Sequence, residues 1–176
     1  DLKLPLSTDL MMGLPGITVE AFNKDLQRYI DMDVSIKAYP TQLLPNSPMA
    51  DPAYIEKYKI KTDSKDFVIS SFSFTEKDLH WMKGMYHIYT VADGYGLMRY
   101  VMRYLQWEYE IKAVDFMSNL LKYINAHPAK YSKITWAIRY FINDKCMPGG
   151  WRGFYKEIGD YISEVYELEM DSGFKT

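Results

Sequence analysis

Apolar positions along the chain change their period more than once. Leu10-Met11-Met12 is a short apolar run that stops at Gly13-Leu14-Pro15-Gly16, and a Gly/Pro cluster after such a run predicts a turn leaving a strand. Thr18 suits a helix N-cap, and Glu20 falls in the first turn, where a carboxylate favours the positive helix end. Phe22, Leu26, Tyr29 and Ile30 follow at helical spacing, so an amphipathic helix is predicted over 19–31. Val34 to Tyr39 alternates and holds β-branched residues, which predicts a strand that Pro40 ends. Strand, glycine turn, helix and strand make a βαβ unit, whose two strands must be parallel. A parallel pair is normally buried on both faces. Either further strands come from elsewhere or the helical region covers these two.

The loop at 41–49 is pinned by Pro45 and Pro48. Asp51 and Pro52 read as cap and first residue of a short helix through Tyr58. Residues 59–66 are polar, and 67–74 can be a short extended piece. Thr75-Glu76-Lys77-Asp78 resembles a capping box with Asp in place of Glu. Helical patterns then cover 76–92, 97–107, 110–126, 131–143 and 151–168, broken by Gly94 and Gly96, by His127-Pro128, and by Pro148-Gly149-Gly150. The expected organisation is a 1–50 α/β part, connecting loops and a short helix over 51–74, and a mostly helical region over 75–176.

Composition narrows the class. A 176-residue chain with 48% apolar and 25% charged residues is an ordinary globular balance. Net charge is −2 and the pI about 5.9, which gives no electrostatic reason for a nucleic-acid partner. No apolar run approaches the roughly 18–20 residues that span a bilayer. The sequence opening is not a secretory signal. A soluble cytoplasmic protein with no membrane partner is the expectation.

The chemistry-bearing residues are sparse. His80 and His87 lie two helical turns apart, too far to share one ion unaided, so no metal site is expected. Cys146 is the one cysteine, expected at a helix C-terminus, where the dipole does not activate a thiol. Glu164, Glu167 and Glu169 read as a solvated helix face. Trp81, Tyr86, Tyr89, Tyr95, Tyr100, Tyr104 and Trp107 could stack a planar ligand, but helix packing explains the spacing more simply. Gly13–Gly16 is too short for a P-loop and lacks its lysine. It does allow close backbone approach at the carboxyl end of a strand, the edge where parallel α/β folds bind ligands; a plain strand-to-helix turn explains it equally well.

Met12-Gly13-Leu14-Pro15-Gly16-Ile17-Thr18 resembles the "GLPGET" stretch of radical S-adenosylmethionine enzymes, especially those with a cobalamin-binding domain. The order of motifs is similar too. Leu43-Leu44-Pro45-Asn46-Ser47-Pro48 matches a Leu-Leu-Pro-Gly-Thr-Pro loop, the 54–58 segment carries the acidic, Tyr and basic residues, and Ser73-Phe74-Thr75-Glu76-Lys77-Asp78 matches Ser-Phe-Thr-x-x-Asp. The similarity covers about residues 9–80. Ile17 replaces the usual Glu or Gln, and Asn46 replaces Gly.

The resemblance implies a fold: an α/β fragment plus α, being the last strands of a partial TIM-like (β/α)6 barrel followed by a mostly helical C-terminal domain. The missing strands would belong to the N-terminal remainder of the same enzyme. It implies S-adenosylmethionine contacts at Gly13, Leu14, Pro15 and Gly16, with Tyr39, Pro40 and Gln42 at the next strand end. It implies a [4Fe–4S] cluster, cobalamin and a small-molecule substrate in the intact enzyme, which would methylate an unactivated carbon after hydrogen abstraction by a 5′-deoxyadenosyl radical. The Cys-x-x-x-Cys-x-x-Cys cluster motif is absent from these residues, and one cysteine cannot replace it. The chain alone is therefore not expected to be catalytically competent. The rival expectation is a non-catalytic helical binding module whose aromatic faces dock a partner.

Overall fold

The structure is a computed structural model that describes residues 6–140 and 150–168. The protein is mixed α/β, with seven α-helices and two small sheets among the described residues. It divides into two compact units, one reaching to Ser118 and one from Asn119 on, with the division inside a helix.

In the first unit, β1 (Ser7–Met12) and β2 (Ser35–Pro40) pair in parallel, Ser7 opposite Ser35 through Met12 opposite Pro40. Helix α1 (Val19–Asp31) connects them. The hydroxyl of Thr18 accepts the Ala21 N–H at 3.1 Å and caps α1. Phe22, Leu26 and Ile30 are buried on one stripe of α1, together with Met12, Ile36 and Ala38 of the sheet. The expected βαβ unit is formed.

Strand alternation sends the other residues to the opposite face. There Asp9 stands opposite Lys37 and Met11 opposite Tyr39, and all four are exposed. The sheet is thus covered on one face only. No barrel is formed by the described residues: β1 and β2 are the whole of this sheet. The partial-barrel expectation is met here only at the level of a mixed α/β fold with one parallel pair.

Helix α2 (Pro52–Tyr58) follows a 3-10 turn at Pro48–Ala50, and the Asp51 carboxylate accepts from Ala53 and Tyr54 N–H. The polar stretch after it, expected to be irregular, holds β3 (Lys61–Thr62), which pairs antiparallel with β4 (Val68–Ser70). Asp63 explains the hairpin. Its carboxylate accepts the N–H groups of Lys65 and Phe67 at 2.8 and 3.0 Å, which folds the tip as an Asx-type turn.

Helix α3 (Glu76–Tyr89) opens on the expected capping box. The Thr75 hydroxyl accepts the Asp78 N–H at 3.2 Å, and the Asp78 carboxylate accepts the Thr75 N–H at 2.8 Å. These hydrogen bonds hold the Asp78 carboxyl below its ordinary pKa. The helix runs into a π-turn, Thr90–Gly94, that carries buried Asp93. Helix α4 (Arg99–Tyr109) follows. Burial pushes the Asp93 carboxyl up, and Arg99 opposes it through an Nε contact to Oδ1 at 3.3 Å. Arg99 Nη2 also donates to the Asp93 carbonyl at 2.6 Å, so one side chain closes the whole turn.

Helix α5 (Ala113–Ala126) leads into the second unit, which holds α6 (Ser132–Tyr140) and α7 (Gly150–Tyr166). Within that unit α7 presents two carboxylates, seven residues apart. Glu157 accepts the backbone N–H groups of Lys133 and Ile134 at 2.9 and 3.0 Å and so caps α6 from a neighbouring helix. Glu164 accepts the hydroxyls of Tyr123 and Tyr131, at 2.5 and 2.6 Å, and an ion pair from Lys130. These partners hold its carboxyl down at about 2, with the Lys130 hydrogen bond the largest cause. Glu164 is therefore not part of a merely solvated face. Glu167 is exposed as expected, while Glu169 and Cys146 lie outside the described residues.

Candidate functional site

The carboxyl edge of the β1–β2 pair is where the sequence places its site, and the backbone there is unusual. Gly13 and Gly16 have φ of 98° and 102°, in the left-handed region that side chains disfavour. They let the chain turn from β1 back toward α1 within a few residues, with the Ile17 N–H donating to the Leu14 carbonyl at 3.1 Å. The Gly16 N–H donates to the Ser73 hydroxyl at 2.9 Å, and Ser73 in turn contacts Ser71 Oγ at 3.0 Å. The turn is thus fastened to the segment that precedes α3.

Thr41 is the joint of the edge. Its N–H donates to the Met12 carbonyl at 2.8 Å, and its carbonyl accepts the Val68 N–H at 2.9 Å. Both strand ends and the hairpin meet at this one residue. Thr41 is 3% exposed, and its hydroxyl has no hydrogen-bond partner. A Cβ placed on Gly13 would lie 3.7 Å from that hydroxyl and 3.5 Å from the Val68 carbonyl oxygen. A bare glycine, a rigid buried hydroxyl and a carbonyl oxygen therefore converge. Leaving such a hydroxyl unsatisfied costs about 1–3 kcal/mol. Thr41 thus keeps one unsatisfied polar atom packed against the turn.

The expected site residues divide into two sets. Gly13, Leu14, Pro15 and Gly16 form the turn, and Gly13 adjoins Thr41. Leu14 is 39% exposed beside it. Tyr39 is 45% exposed and points to the open face of the sheet beside Met11. Pro40 is exposed at the end of β2. Gln42 is drawn away: its side-chain amide donates to the Lys65 carbonyl at 2.9 Å, at the hairpin tip. The structure gathers the glycine turn around Thr41 rather than around Gln42. Thr41 is the residue that sequence alone does not single out, because its distinction is a missing partner.

Among the described residues, no three His, Cys, Asp or Glu side chains are grouped to hold a metal ion. The chain's own residues do not fit an iron–sulfur cluster, since it has one cysteine. No helix among the described residues is long and apolar enough to cross a membrane. The chain matches no protein-family model, and no curated protein matches it.

Proposed function

We propose that this chain supplies the last two strands and the helical extension of a cobalamin-dependent radical S-adenosylmethionine enzyme, a methyltransferase acting on a small molecule. The observation that carries this reading is the asymmetry of the two sheet edges. On β1, the Leu6 and Met12 carbonyls accept from Ser35 and Thr41. By strand alternation Ser7, Asp9 and Met11 turn their backbone groups to the other side, where β1 has no neighbour among the described residues. On β2 the outer edge is partly occupied. The Ile36 N–H donates to the Tyr89 hydroxyl at 3.1 Å, and Pro40 has no N–H. Further parallel strands would add more readily beside β1, since a strand beside β2 would have to displace the Tyr89 hydroxyl.

The uncovered face supports the same reading. A barrel wall has helices outside and an interior face within, and α1 packs on only one side of this pair. In the proposed enzyme Asp9, Met11, Lys37 and Tyr39 face the interior, and the Gly13–Gly16 turn lies at the carboxyl rim with Thr41. There the turn's backbone and the Thr41 hydroxyl would hold and orient S-adenosylmethionine, and Leu14 would exclude water. Bound S-adenosylmethionine, with a reduced cluster, would supply the carbon radical chemistry. The cluster ligands and the cobalamin site would belong to the N-terminal remainder, and the protein would be cytoplasmic.

The test is the reading frame that encodes this segment, followed by its product. A Cys-x-x-x-Cys-x-x-Cys motif is expected in the same polypeptide. After reconstitution with iron and sulfide, that protein should form 5′-deoxyadenosine from S-adenosylmethionine under reducing conditions. A polypeptide without the motif, or a cluster-loaded protein that forms no 5′-deoxyadenosine, overturns the proposal.

A further inference from the structure

We draw no further inference here: the strongest candidate, the exposed face of helix α4 that carries Tyr100 and Trp107, borders a groove lined by as many arginines as aspartates, and nothing in the structure shows what covers it.

Discussion

The phenol of Tyr89, at the end of α3, accepts the backbone N–H of Ile36 in the middle of β2 at 3.1 Å, inside the core. This bond occupies one donor on the outer edge of β2, in the middle of the strand. A strand edge is otherwise a template for another strand. Burial pushes the Tyr89 phenol above its ordinary pKa, so it stays neutral as it accepts this bond. Tyr89→Phe keeps the ring and removes the oxygen, leaving a buried N–H unpaired. The expected loss is about 1–3 kcal/mol. Urea unfolding should show it, and the Ile36 amide should exchange with deuterium faster than its neighbours in the variant. Unchanged stability and exchange would mean that another group satisfies this N–H.

The two glycines of the turn separate backbone strain from crowding. Gly16 has φ 102° and nothing within 4 Å of a would-be Cβ. Gly16→Ala therefore carries the cost of the left-handed backbone alone, about 1–2 kcal/mol. Gly13→Ala meets ordinary contacts at 3.5 and 3.7 Å and should cost a similar amount. A larger side chain at Gly13 should cost more, while at Gly16 size should matter little. Denaturation midpoints of Ala and Leu variants at both positions would show the divergence.

Thr41→Val tests the unpartnered hydroxyl. The hydroxyl has no partner in the protein, so replacing it by a methyl group removes a desolvated polar atom and no hydrogen bond. Stability should stay level or rise. Any ligand that hydrogen-bonds the Thr41 hydroxyl should bind more weakly to the variant. A clear loss of stability without ligand would show that the hydroxyl is already satisfied, for example by a buried water.

The parts of this architecture that sequence makes legible are those with local chemical signals. Gly13–Gly16, Thr18 and Pro40 mark the βαβ boundaries, and Thr75 with Asp78 marks the start of α3, because caps and turns are set by residues within a few positions of one another. The hairpin was not legible. Lys61–Thr62 is short and polar, and it is a strand because Asp63 folds the tip and Val68 reaches Thr41. Glu164 likewise looks solvated from its neighbours on α7 and gains its role from Tyr123 and Tyr131, more than thirty residues away. The exposure of Trp107 could not be read at all, since helical spacing fixes which residues share a face and not whether another element covers it.

Glu164 makes the second unit's stability depend on acid. Its carboxyl is held at about 2 in the folded protein, against about 4.3 for a free glutamate. A depressed folded value means that the unfolded chain takes up the proton first. The contribution of Glu164 is therefore complete above about pH 4.3 and disappears as pH falls toward 2. Lys130 adds the complementary trend: its pKa is raised by Glu164 and Tyr123, so its share is lost only as alkaline pH rises through the raised value. Glu164→Gln removes the titrating group and keeps one acceptor oxygen, so only one of the Tyr123 and Tyr131 hydroxyls retains its acceptor. The variant should be less stable than the parent at neutral pH and should lose less of its stability between about pH 4.3 and 2. Denaturant midpoints followed by tyrosine fluorescence across that window would check this. Parallel curves for the two proteins would mean that the carboxylate is not what binds Tyr123, Lys130 and Tyr131 together.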